Sequence, residues 1–179
     1  MAELREEEFP QLQQERFAES AEVVADCVID TDFEVLIPDS YVENVSERIR
    51  LYRELDGMTN ESQWHRFEIE MRDRFGELPL PVKGLISVVQ IRQFAQSLGV
   101  ERVLAKRGKM VLYFLSDQQA AFYSSPAFMN ILSFVQRQLI PGQMNERNDK
   151  LTLSFESVND IERARYIVQE MYTFVYGEK

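Results

Sequence analysis

The sequence predicts an α+β domain, a small mixed sheet with helices packed on it, in the element order β-ααα-ββ-α-β-α. Three observations carry that prediction. Apolar and polar residues alternate in two stretches, 23–38 and 100–116, as a half-buried strand requires. Between them, three successive segments repeat their apolar residues at helical spacing. Glycine and proline fall at the boundaries of these segments, not inside them, with Gly84 as the exception.

Taken in order, the stretch VVADCVIDTDFEVLIP (23–38) predicts a strand with one wet face. Asp26, Asp30, Asp32 and Glu34 are set away from the apolar neighbours Val28 and Ile29, and Pro38 ends the strand. The first helix repeats Val45, Ile49, Tyr52 and Leu55; Asn44 with Glu47 three residues on resembles a capping box, and Gly57 closes it. The second starts near Asn60, carries its seam on Trp64, Phe67, Met71 and Phe75, and takes Gly76 as a left-handed cap. The third opens with Pro79 or Pro81 in its first turn, runs through Leu85, Val89, Ile91, Phe94 and Leu98, and stops at Gly99.

Beyond Gly99, VERVLAKRGKMVLYFLS predicts two strands joined at Arg107-Gly108. Ser125-Pro126 starts a helix through Phe128, Ile131, Leu132 and Val135, ended by Pro141-Gly142. KLTLSFE (150–156) predicts a strand. A last helix from about Ser157 carries Ile161, Ala164, Ile167, Val168, Met171 and Phe174.

The charge is uneven. Residues 1–50 hold 14 acidic and 4 basic side chains, a balance of −10, whereas residues 51–179 hold 16 of each. Residues 1–22 are Glu-rich and interrupted by Pro10, and predict a connector ahead of a domain spanning 23–179. That distribution argues against a general nucleic-acid binder, whose affinity comes from surplus Lys and Arg. No stretch approaches the ~18 apolar residues of a membrane span. The single cysteine, Cys27, excludes an internal disulfide framework and fits a reducing compartment.

Catalytic chemistry finds little to stand on. His65 is the only histidine, so neither a His-based triad nor a Cys/His zinc site can be assembled, and no metal or cofactor is expected. The seven glycines form neither GxxxxGK[ST] nor GxGxxG, which excludes the usual phosphate cradles. Glu70 and Asp73 share a helix face; Asp73 and Glu77 point roughly opposite the Trp64–Phe75 seam and Glu70 lies on its flank, so that solvent leaves little scope for tuning a general acid or base. Spacing alone leaves two readings of that face. One is a solvated surface with Arg66–Glu70 and Glu70–Arg74 pairs; the other is a docking face for a basic partner, with Ile69 as an apolar anchor. A separate alternative is nucleic-acid contact through the basic hairpin residues Arg102, Lys106, Arg107 and Lys109, set against their ordinary use in solubility and edge protection.

Two strings sharpen this picture. VLIPDSYVENVSERIRLYREL (35–55) offers Ile37, Pro38, Asp39 and Tyr41, then Arg48, Ile49 and Tyr52; EMRDRFGELPLPVKGL (70–85) offers Glu70, Asp73, Arg74, Phe75, Gly76 and Pro79. Together they resemble the C-terminal domain of the bacterial transcription-repair coupling factors, the Mfd family. QFAQSLGVERV (93–103) continues the likeness, which covers roughly residues 23–175 and fades in the hairpin and last third.

The resemblance implies a non-catalytic regulatory domain of a larger cytoplasmic bacterial protein. That parent would be similar to the superfamily 2 helicases: an ATP-dependent DNA translocase that displaces stalled RNA polymerase and recruits UvrA for excision repair. Residues 1–22 would be the connector leaving the motor. The domain would dock on the N-terminal UvrB-like module of the same chain, masking UvrA binding and restraining the motor. Carried onto this sequence, Glu70 and Asp73 would be the contact residues, while Arg74, Phe75 and Gly76 terminate and pack the helix.

Overall fold

The computed structural model describes residues 26–117 and 121–177; the expected connector over 1–22 lies outside them. β1 (Val28–Thr31) is followed by α1 (Val45–Asp56), α2 (Glu61–Phe75) and α3 (Leu80–Ser97). Then come β2 (Val100–Lys106), β3 (Lys109–Phe114), a 3-10 turn (Ala121–Ser124), α4 (Pro126–Arg137), β4 (Gln143–Arg147), β5 (Lys150–Glu156) and α5 (Ile161–Tyr176). The five strands form one mixed sheet in the order β1-β2-β3-β5-β4, with β1 parallel to β2 and the other pairs antiparallel. The α+β class holds, and so does the expected order except for one additional strand, β4.

Alternation along the strands gives the sheet one covered and one open face. Val100, Val103, Ala105, Met110, Leu112, Phe114, Leu153 and Phe155 are buried and register with one another across three strands. They form one cluster with Ala164, Ile167, Val168 and Met171 of α5 and with Ile131 and Phe134 of α4. A second cluster belongs to the helices: Leu51 and Leu55 of α1, Trp64, Phe67 and Met71 of α2, and Val82, Ile86 and Val89 of α3. Phe94 of α3 packs against both clusters.

The predicted boundaries hold where a side chain or a turn enforces them. Asn60 caps α2 in a full capping box with Gln63, and Ser125 caps α4 ahead of Pro126. Arg107 and Gly108 both take positive φ between β2 and β3, as a tight hairpin demands.

Six details differ from the sequence expectation. The strand expected over 23–38 narrows, among the described residues, to Val28–Thr31. Thr31 ends it by donating its hydroxyl to the Ala105 carbonyl (2.9 Å) and accepting the Phe33 amide (3.1 Å), which turns the chain off the sheet edge. The chain then runs past α3, with the Leu36 amide on the Pro81 carbonyl at 3.2 Å. There a Cβ on Gly84 would stand 3.0 Å from Val35 Cγ1, so a glycine inside α3 is what lets the segment approach. Within β1, Val28 lies on the open face with Asp30 and is 58% exposed, not turned away from the acidic residues.

In α1 the seam lies elsewhere: Leu51 and Leu55 are buried, while Val45, Ile49 and Tyr52 of the expected seam are exposed. Gly76 has φ 92° but ψ −168°, so it ends α2 outside the left-handed helical region. α4 stops at Arg137, before Pro141-Gly142, because Gln138 takes the left-handed conformation and its side-chain amide donates to the Val135 and Gly142 carbonyls. α5 starts at Ile161 rather than Ser157, where Asp160 accepts the Arg163 amide at 2.7 Å.

Candidate functional site

The helix that carries Glu70 and Asp73 is held along its inner face and at its C-terminus. Its inner seam of Trp64, Phe67 and Met71 is buried in the helical cluster. At its C-terminus, Tyr41 shares its hydroxyl between the Gly76 carbonyl (2.8 Å) and the Met71 carbonyl (3.2 Å), with its ring tilted on Phe75 at 5.7 Å. Tyr41 thus ties the end of α2, which Gly76 terminates, to the turn before α1. The turn that carries Tyr41 is itself tied down: Arg48 donates to the Val42 carbonyl (2.5 Å) and the Glu43 carbonyl (3.0 Å), and Tyr52 Oη accepts the Ile37 amide at 2.7 Å. The two recognisable strings therefore fold against each other, with Tyr41, Arg48 and Tyr52 of the first tying its turn to the end of α2.

Glu70, Asp73 and Ile69 all lie on the exposed surface of α2, Ile69 at 43%. Glu70 touches Arg74 loosely, at 3.9 Å, and no Arg66–Glu70 pair forms among the described residues. Arg74 instead bonds Glu47 of α1 at 2.6 Å and lies over the Phe75 ring at 4.7 Å. Glu47 also accepts two bonds from Arg50, at 2.6 and 3.2 Å, and Arg50 reaches on to Glu54 at 3.5 Å. The Arg50 and Arg74 guanidiniums hold the Glu47 carboxyl down to about 2. Asp73 makes no ion pair among the described residues. The result is a carboxylate pair that the protein itself leaves weakly neutralised.

Glu47 is the residue that sequence reasoning missed in this role, having treated it only as a cap partner. Its amide does bond the Asn44 side chain at 2.9 Å, but its carboxylate belongs to the arginines. Its pairing with Arg50 was legible at helical spacing; the link to Arg74, 27 residues away, needed the fold.

The basic hairpin is placed differently. Asp30 of β1 bonds both Lys106 (2.9 Å) and Arg102 (3.1 Å), which lowers the Asp30 carboxyl below its ordinary range. Lys109 faces Glu156 at 3.6 Å, and the Arg107 amide donates to Asp32 at 3.2 Å. Three of the four cations thus have a carboxylate partner on a neighbouring strand. His65 is exposed on α2, and no cluster suited to holding a metal occurs among the described residues. Two surface clefts lie near α4 and the β4–β5 hairpin, one lined by Tyr123, Phe128, Leu132, Met144 and Leu151; neither includes a residue of α2. No described helix is long and apolar enough to cross a membrane.

Fold and face together define a small α+β domain that carries Glu70 and Asp73 exposed on α2, with no metal-binding cluster among its described residues. A family model for the TRCF domain matches residues 31–125, more than half of the sequence, and this chain belongs to that family. Among curated relatives, it is 37% identical over 75 residues to the transcription-repair-coupling factor of Rickettsia prowazekii, covering 42% of this chain and 7% of that one. It is 33% identical over 101 residues to the Rickettsia typhi protein (54% and 9%), and 32% identical over 68 residues to that of Escherichia coli (38% and 6%). The chain spans less than a tenth of the length of these relatives. Among solved structures, its fold is similar to the crystal structure of the C-terminal domain of transcription-repair coupling factor. There the TM-score is 0.67 at 19% identity, over 86% of this chain and 98% of that one.

Proposed function

We propose that this domain is the regulatory C-terminal module of a cytoplasmic transcription-repair coupling factor, and that it works by docking, not catalysis. Residues 1–22 are its connector from the motor, and 23–179 the regulatory unit. Its partner is the N-terminal UvrB-like module of the same parent chain, a basic surface that receives Glu70 and Asp73 around the Ile69 anchor. While docked, the domain masks UvrA binding and restrains the ATP-driven DNA translocase. It releases both when RNA polymerase is engaged. The observation that carries this reading is the exposed Glu70/Asp73 face near a helix end tied by Tyr41, with Arg74 held closer to Glu47 than to Glu70. A charged interface of this kind is held by effective concentration within one chain yet separates without unfolding either side. Contact with nucleic acid through the hairpin has less support, since Asp30 and Glu156 already engage three of its cations.

Calorimetric titration of this chain with the N-terminal UvrB-like module tests the reading. Wild type should bind, increased salt should weaken binding, and a folded Glu70→Arg/Asp73→Arg variant should lose it. Equal binding by both proteins would remove the acidic face from the interface.

A further inference from the structure

We infer that Glu47 is a positioning residue for the acidic face: it detains the Arg50 and Arg74 guanidiniums and so leaves Glu70 and Asp73 open to a cationic partner. This rests on the docking reading above. Arg74 is a shared cation, with one terminal nitrogen 2.6 Å from Glu47 and the other 3.9 Å from Glu70. Arg50 is similarly placed, bonded to Glu47 at 2.6 Å and within the field of Glu70. Arg74 thus has Glu70 as its next available carboxylate, whereas Arg50 has Glu54 first, at 3.5 Å, and Glu70 only at longer range. Glu47 wins because its carboxylate is the least exposed of the local set, at 23% against 46% for Glu70 and 34% for Glu54. An ion pair with less water around it is the stronger one.

Without the Glu47 charge, Arg74 needs only a side-chain rotation to close on Glu70 one turn below it, the helical spacing at which such pairs form readily. A partner's Lys or Arg would then have to displace an internal guanidinium before reaching Glu70. The acidic face is therefore a product of α1 as well as α2: α1 supplies the carboxylate that keeps α2 from neutralising itself. Glu54 serves as an internal control. It lies on the same helix and carries the same charge, but it holds only Arg50, at 3.5 Å.

The experiment is binding of this chain to the N-terminal UvrB-like module, with folding of each variant checked by circular dichroism. Glu47→Gln should weaken binding about three- to fivefold and Glu54→Gln less than about twofold, the scale of one exposed ion pair. In an Arg50→Gln/Arg74→Gln background, Glu47→Gln should have no further effect, because no cation remains to be released. An equal loss from Glu47→Gln in that background would overturn the inference, since the effect would then be net charge. Wild-type binding by Glu47→Gln, with binding still lost in Glu70→Arg/Asp73→Arg, would also overturn it while leaving the docking reading standing. Wild-type binding by the double reversal would remove the docking reading itself, and this inference with it.

Discussion

Glu47 shows how one carboxylate shapes a surface that belongs mostly to another helix. Bonds from Arg50 and Arg74 hold its carboxyl at about 2, below the ordinary value for Glu near 4.3. A carboxyl depressed in the folded state stabilises the fold above its unfolded value and loses that contribution as pH falls through the folded one. The window here runs from about pH 5 down to about 2. Thermal unfolding over that range should show a steeper fall in Tm for wild type than for Glu47→Gln, with the two converging at the acid end. Added salt should narrow the gap at neutral pH, because the pair is partly exposed to water. Parallel acid limbs in the two proteins would show that the arginines find equal partners elsewhere.

At the scale of elements, the caps are local and separable from the face they support. Asn60 accepts the Gln63 amide at 3.1 Å while Gln63 Oε1 accepts the Asn60 and Thr59 amides, at 3.3 and 2.7 Å. Asn60→Ala should cost about 1 kcal/mol in chemical denaturation. It should leave partner binding within about twofold, since Glu70 and Asp73 lie at the other end of α2, fixed by Tyr41. The same elements explain what was legible beforehand. Capping residues, prolines at helix starts and the Arg107-Gly108 turn are short-range signals, and each marked a real boundary. β4 was not legible: Gln143–Arg147 is a polar edge strand with mostly exposed side chains, so no apolar alternation marks it. Its one local sign is the Asn148-Asp149 pair, both with positive φ, which turns it into β5. The α1 seam went wrong for a different reason. Val45, Ile49 and Tyr52 repeat as well as Leu51 and Leu55 do, and only tertiary packing decides which stripe is buried. For the candidate site, exposure of Glu70, Asp73 and Ile69 followed from helical geometry, whereas the bond between Glu47 and Arg74 did not.

At the scale of the whole molecule, two hydrophobic clusters share α3, and Phe94 is where they meet. Its ring stands edge-on to Trp64 of the helical cluster at 6.1 Å and tilted on Tyr172 of α5 at 5.0 Å. The acidic face belongs to the helical cluster, and the sheet with α4 and α5 belongs to the other. Under the proposed docking, a load applied at Glu70 and Asp73 would reach the sheet through α3 and through the segment that carries Tyr41, so the stiffness of the α3 junction bears on whether it acts on one half or on the entire domain. Phe94→Ala should cost about 3 kcal/mol, the low end for a buried phenylalanine because this one is only half-buried. The more telling measurement is cooperativity. Trp64 is the only tryptophan and reports on the helical cluster alone, whereas far-UV circular dichroism reports on the whole chain. In wild type the two transitions should coincide, as for a small two-state domain. In Phe94→Ala the fluorescence transition should separate from the dichroism transition, because the halves then lose their shared ring. Coincident transitions in the variant would mean that the clusters stay coupled without the Phe94 ring, through the backbone of α3 and the segment that runs past it.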